Sequence, residues 1–169
     1  MAADELVAIV DPDNNVTGSA TRARMRSENL LHRATYIFVF DSEGRLYVQH
    51  RTFTKDIYPG YWDLCAGGVV LAGESYEESA ERELGEELGI TGVRIEPWFD
   101  FYCEDQRSKV WGRAFGVYNY EGPITMQVEE VQAVERMFPD EVLAGSLPYK
   151  FTPDSVIALR RRMSQSARA

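Results

Sequence analysis

Short apolar runs and polar turns alternate through the first third of the chain. Leu6 to Val10 is followed by Asp11-Pro12-Asp13-Asn14-Asn15 and then Val16, which predicts a strand, a turn and a second short strand: an opening hairpin over about residues 5–20. The basic stretch Arg22 to Asn29 predicts a short helix. Thr35 to Phe40 is an unbroken β-branched and aromatic run, expected of a buried strand. Asp41-Ser42-Glu43-Gly44 turns the chain into a partner strand at Leu46 to Gln49. Thr52 to Tyr61, with Pro59-Gly60 and mixed polarity, reads as a loop entering a strand around Trp62 to Ala66.

The period then changes from two to about four. Ser75 and Glu78 have the spacing of a capping box, and Leu88-Gly89 supplies a helix end. Tyr76, Ala80, Leu84 and Leu88 between them form an apolar stripe that can pack on a sheet. Val93 to Tyr102 and Val110 to Tyr120 are aromatic-rich strands flanking the charged Glu104 to Lys109 turn, and Val131 to Phe138 predicts another strand. Pro139-Asp140-Glu141 opens a short helix. Thr152-Pro153-Asp154-Ser155 supplies an N-cap and first-turn proline for a last helix over about 153–165, with Arg160 to Arg162 suited to its C-terminal dipole. With no repeat or linker, the pattern implies one domain over residues 1–169, a mixed sheet between helices.

Composition narrows the chemistry. At 169 residues and 44% hydrophobic content, a core forms without disulfides or structural metals. Cys65 and Cys103 match no zinc or redox spacing and read as free, packed thiols. The apolar run Leu6 to Val10 is too short for a signal peptide or membrane span, so a cytoplasmic location without membrane attachment is expected. A net charge of −9 disfavours bulk nucleic-acid binding, the arginines grouping only at Arg22 to Arg26 and Arg160 to Arg162. A small phosphorylated substrate remains compatible, because divalent cations reverse the field of a carboxylate patch.

Such a patch lies in the central helix. Glu83, Glu86 and Glu87, at i, i+3 and i+4, share one face and repel one another. A solvated acidic surface would tolerate that repulsion, but this triplet borders the apolar stripe and follows Gly67-Gly68, Gly73-Glu74 and Arg82. Magnesium takes oxygen ligands from one or two carboxylates, waters and phosphates. The glycines let backbone approach closely, offering the Gly67 carbonyl as a further ligand. Arg82 is placed to pair with Glu74 and tie the loop to the helix.

Gly68, five residues, Glu74, seven residues, Arg82-Glu83-Leu84, one residue, Glu86-Glu87, one residue, Gly89-Ile90 is similar to the Nudix box at every defined position, over residues 68–90. The strand and helix order over most of the chain also resembles the Nudix α/β/α sandwich with its mixed central sheet. The resemblance implies a hydrolase of pyrophosphate bonds using Mg²⁺ or Mn²⁺ held by Glu83, Glu86 and Glu87. It puts Glu83 and Glu87 first as direct ligands, with Glu86 sharing a cation or orienting water. The general base falls to Glu86 or Glu130, with Glu129 behind them; Glu130 precedes the strand at Val131, which can aim it at the site.

Leu31-His32-Arg33-Ala34, Gln49-His50-Arg51 and Tyr58-Pro59-Gly60-Tyr61-Trp62-Asp63 resemble the branch that includes isopentenyl-diphosphate isomerase and its hydrolase relatives. The isomerase pattern puts its catalytic cysteine at Gly67 and a metal-binding histidine at Val69, and neither side chain serves. Cys65 lies two positions away, about 6–7 Å along a strand. Hydrolase therefore stands ahead of isomerase, and the intact box stands against a catalytically silent binding protein. His32 and His50 read as locally hydrogen-bonded, and Trp62, Trp111, Tyr61 and Tyr102 as core before stacking platform. The expected partner is a nucleoside-diphosphate-linked or related small metabolite. The N-terminal hairpin and the aromatic strands offer surface for a homodimer.

Overall fold

The structure is a computed structural model that describes residues 3–167, with side chains through residue 165. In chain order it contains β1 (Leu6–Val10), β2 (Val16–Thr21), α1 (Arg22–Ser27), β3 (Leu31–Val39), β4 (Leu46–Arg51), β5 (Trp62–Asp63), α2 (Tyr76–Leu88), β6 (Glu96–Glu104), β7 (Lys109–Val117), β8 (Val131–Met137), α3 (Pro139–Leu143) and α4 (Pro153–Ala167). The sequence pattern places nearly every element within a few residues of these bounds.

Strands β2-β1-β3-β7-β6 form one sheet, and β5-β4-β8 a second. The β3–β7 pair is parallel, in register from Leu31 with Lys109 to Val39 with Val117, while the β1–β3 and β6–β7 pairs are antiparallel, so the central sheet is mixed. The uninterrupted apolar run of β3 follows from burial on both faces. Tyr36 and Phe38 enter a core with Leu46, Val48, Trp62 and the α4 residues Ala158 and Leu159. Ile37 and Val39 point oppositely and pack with Tyr76, Ala80, Leu84 and Leu88 of α2. Those four residues are the stripe read from the sequence, and all are buried. Helices thus cover both faces of the sheet.

Helix α2 starts where its capping box predicts: the Glu78 N–H donates to Ser75 Oγ, and the Ser75 N–H to Glu78 Oε1, both at 3.1 Å. It ends at Gly89, whose φ of 67° is the left-handed conformation that glycine takes without a Cβ penalty.

Two expectations need correction. Regular β5 stops at Asp63; the segment just beyond it pairs with β3 through isolated bridges at Ala66 with Ile37 and Val69 with Ala34 rather than as a continuous strand. The ladder breaks between these bridges at Gly67, where φ is 148° and a Cβ would stand 1.9 Å from the Thr35 carbonyl oxygen, so only glycine fits. Arg160 to Arg162 do not occupy the last turn of α4, which runs on to Ala167. Arg161 instead lies 4.2 Å over the Phe99 ring and Arg162 4.7 Å over Trp98, tying the helix to β6 by cation–π contact.

Candidate functional site

The α2 glutamates divide by depth. Glu83 is 2% and Glu87 5% exposed, whereas the Glu86 side chain is 44% exposed. Helical geometry turns Glu83 and Glu87 toward the sheet and leaves Glu86 on the rim. Glu87 Oε1 accepts the Gly67 N–H at 2.8 Å. A Cβ at Gly68 would stand 2.6 Å from Glu83 Oε1, so glycine there keeps the turn and the carboxylate in contact. Gly67 and Gly68 are therefore needed for two different close approaches, one to β3 and one to α2.

Arg82 organises the cluster. Its Nε and Nη2 donate to Glu74 at 2.7 and 3.0 Å, and its Nη1 donates to Glu83 at 2.9 Å and Glu86 at 3.3 Å. Glu74 Oε1 in turn accepts the Leu71 N–H at 3.0 Å, so one guanidinium holds the loop and the helix acids together. Because Arg82 stands between Glu83 and Glu86, the acids are not drawn into a tight cage. Among the described residues no three acidic, histidine or cysteine side chains stand close enough to hold an ion as they are.

The electrostatics show what the cluster lacks. Burial pushes the Glu83 carboxyl up to about 7, against the pull of Arg82 and with the charge of Glu86 adding to the rise. Burial and the nearby Glu83 raise Glu87 as well, against the Gly67 hydrogen bond. Two adjoining enclosed carboxylates form a hard oxygen donor set whose charge a divalent cation would offset, and such a set suits Mg²⁺ or Mn²⁺.

A cavity of ≈ 110 Å³ opens against this cluster. On its α2 side stand Glu83, Gly67, Gly68 and Glu130. Glu130 immediately precedes β8 and pairs with Lys55 at 3.3 Å; burial raises its carboxyl, but the surrounding positive charge, led by Lys55 and including Arg22, brings it below the ordinary carboxylate value. Glu129 is exposed. Arg22 and Arg26 of α1 also reach the cavity, bonding Asp56 at 3.2 and 3.3 Å.

The remaining sequence candidates fall to structural positions. His32 is buried, with Nδ1 2.9 Å from the Leu30 carbonyl oxygen, and burial brings its pKa down to about 4. His50 stacks on Trp62 at 4.3 Å, with Nε2 3.1 Å from the Gly60 carbonyl oxygen. Trp62 is core, and Trp111 donates to the Pro12 carbonyl at 3.0 Å. The rings that line the cavity are those of Tyr36, Tyr58 and His32. Both cysteines are free: burial raises the Cys65 thiol well above its ordinary value and Cys103 to about 11, so neither is a ready thiolate.

The NUDIX domain model matches residues 30–160. This chain belongs to the NUDIX domain family. A Nudix hydrolase of Yersinia pestis is 48% identical over 92% of this chain and 84% of its own length. The Nudix hydrolase YfcD of Escherichia coli K12 is 45% identical over 99% and 92%, respectively. Among solved structures, DR0079 of Deinococcus radiodurans superposes with a TM-score of 0.80 at 23% identity, covering 93% of this chain and 98% of that one, and so shares the fold. The chain is a Nudix hydrolase. The N-terminal hairpin and α1 lie outside the matched residues, so Arg22 and Arg26 reach the cavity from beyond the NUDIX match. No helix among the described residues is long and apolar enough to cross a membrane.

Sequence reasoning did not bring together the rest of the cavity lining. Arg51 and Asp63 lie in stretches that resemble the isomerase branch, yet Arg51, Lys55, Asp63 and Asp154 come from β4, a loop, β5 and α4, and no local motif joins all four.

Proposed function

We propose that this Nudix hydrolase is a Mg²⁺- or Mn²⁺-dependent enzyme that cleaves the diphosphate linkage of a nucleoside-diphosphate-linked or related small metabolite. The observation that carries this reading is the pairing of buried Glu83 with buried Glu87 at the Gly67–Gly68 turn, beside a cavity that admits a small ligand.

Glu83 and Glu87 would hold the ion, with Glu86 at the rim and the Gly67 carbonyl as supplementary ligands. When bound, the ion supplies charge neutralisation at the phosphate oxygens and acidifies the attacking water. Arg82 positions Glu74, Glu83 and Glu86 relative to one another through the four contacts given above. Glu130 faces the cavity as an ionised carboxylate and is placed before Glu86 as the group that accepts the proton of the attacking water; Lys55 holds it in position. Arg22, Arg26 and Lys55 supply positive charge where a diphosphate would enter. All of this assigns the reaction to one Nudix unit spanning the chain.

Hydrolysis is favoured over isomerisation because the cysteine near the turn, Cys65, is buried with its thiol held protonated. A screen of diphosphate-containing metabolites with Mg²⁺ and with Mn²⁺, identifying both products, tests the reading. Metal-dependent release of a phosphate-bearing product is expected. Isomerisation of isopentenyl diphosphate without phosphate release, or no turnover of any diphosphate, would overturn it.

A further inference from the structure

The reaction proposed above uses only one side of the cavity. The other, under α4, is lined by Tyr36, Asp63, Cys65, Cys103, Val110 and Asp154. Its acceptors are Asp63 and Asp154, and the strong donors beside them, Arg51, Thr152 and Tyr36, are already spent on these carboxylates. Asp63 is engaged at both oxygens, by Arg51 Nη1 at 2.6 Å and the Thr152 hydroxyl at 2.5 Å. Asp154 accepts the Tyr36 hydroxyl at Oδ2, 2.8 Å away, and the Ser155 N–H at Oδ1, 3.1 Å away. A carboxylate offers about four lone-pair sites, so one donor per oxygen leaves Asp154 with acceptor capacity. Asp154 is surrounded by protein yet only half-buried to solvent, because the cavity reaches it. Arg51, whose charge Asp154 feels, is committed to Asp63 and to the carbonyls of Ile57 and Tyr58.

We propose that the α4 side receives the non-phosphate part of the substrate and selects a short group carrying an O–H or N–H donor for Asp154 over a hydrocarbon chain of equal length. This rests on the diphosphate-hydrolase reading and names the substrate class within it. A hydrocarbon tail would displace water from Asp154 without replacing its donor, whereas a hydroxyl or ammonium would replace it. Sites built to hydrogen-bond a substrate group discriminate strongly against the analogue that lacks it. Burial, followed by the charge of Asp63, raises the Asp154 carboxyl, which is the direction expected of an acceptor short of donors. The volume of ≈ 110 Å³ is well below the roughly 300–1,000 Å³ of drug-sized pockets, so the group being discriminated is small.

The test uses diphosphate monoesters with plain alkyl, ω-hydroxyalkyl and ω-aminoalkyl chains of four or five carbons, together with their non-hydrolysable methylene-bisphosphonate analogues. Hydrolysis is read as kcat/KM with Mg²⁺, and binding of the analogues by calorimetry. The hydroxyl or amino compounds should be hydrolysed and bound at least tenfold better than the alkyl compound, and Asp154→Ala should abolish the difference. Asp154→Asn, which keeps size and an acceptor oxygen, should retain the hydroxyl preference and lose an amino preference, separating the two donors even if the alanine variant does not fold. Equal or better use of the alkyl compound by the unaltered protein, or a preference untouched by both substitutions, overturns the inference. If no ester is hydrolysed, the diphosphatase reading fails, and the order of analogue binding still decides the question of selectivity.

Discussion

Glu83 and Asp154 are carboxylates lining one cavity, the first buried and the second half-buried, and they differ in how their charge is met. Burial, with the charge of Glu86 on its own helix adding to it, lifts the Glu83 carboxyl to about 7 against the relief of one guanidinium, Arg82. Asp154 is met by a tyrosine hydroxyl from β3 and a backbone N–H of its own helix. The first arrangement calls for added positive charge, and the second for added donors. Carboxylates of one cavity thus prepare different chemistry according to their neighbours: Glu83 has a guanidinium and a like charge on its own helix, and Asp154 has two neutral donors with Asp63 nearby.

The largest effect that would break this contrast is catalytic. Glu83→Gln and Glu87→Gln should each lower Mg²⁺-dependent kcat/KM by about 10²-fold or more while the circular dichroism spectrum is retained. Full activity in both variants would remove the ion from the α2 side.

A second effect is on stability. The Glu83 carboxyl, ordinarily near 4.5, sits at about 7 in the folded chain. Between those values the folded state keeps a proton that the unfolded chain gives up, so stability without added metal should fall as pH rises from about 4.5 to about 7. The loss should be on the order of 3 kcal/mol, and Glu83→Gln should eliminate that component. Parallel melting-temperature profiles for the two proteins would show that the like-charge strain is absent.

Smaller changes sharpen the comparison. Arg82→Ala should cost about 1.5–3 kcal/mol in urea denaturation by releasing Glu74 and Glu83, with Arg82→Lys intermediate because it cannot reproduce the two-pronged Glu74 contact. Thr152→Val on the α4 side should cost about 1 kcal/mol by stripping a donor from Asp63, leaving the Mg²⁺ concentration for half-maximal activity unchanged. A shift in that concentration would mean the two sides are coupled, Arg51 being the residue whose charge is felt by both Asp63 and Glu87.

The α2 side was legible because its parts lie close in sequence. Ser75 with Glu78, Arg82 with Glu74 and the glutamate spacing are relations of three to eight residues, which helical periodicity and capping chemistry convert into geometry. The extent of β5 was not legible, because the turn at Gly67 answers to the Thr35 carbonyl oxygen, thirty-two positions earlier. Nor was the place of Arg160 to Arg162, since Phe99 and Trp98 reach α4 only after β6 has joined the sheet. Glu130 lines the cavity from its position before β8, but its pairing with Lys55 needed the loop after β4 to fold beside it.

Sequence alone therefore determined the α2 acids, their glycine turn and the order of the elements, since local backbone periodicity sets all three. Tertiary structure alone decided which acids are buried and what stands opposite them. The Tyr36–Asp154 bond spans 118 positions and the Thr152–Asp63 bond 89. Contacts of that separation exist only once the sheet and α4 close the core, because no local propensity brings such distant side chains together.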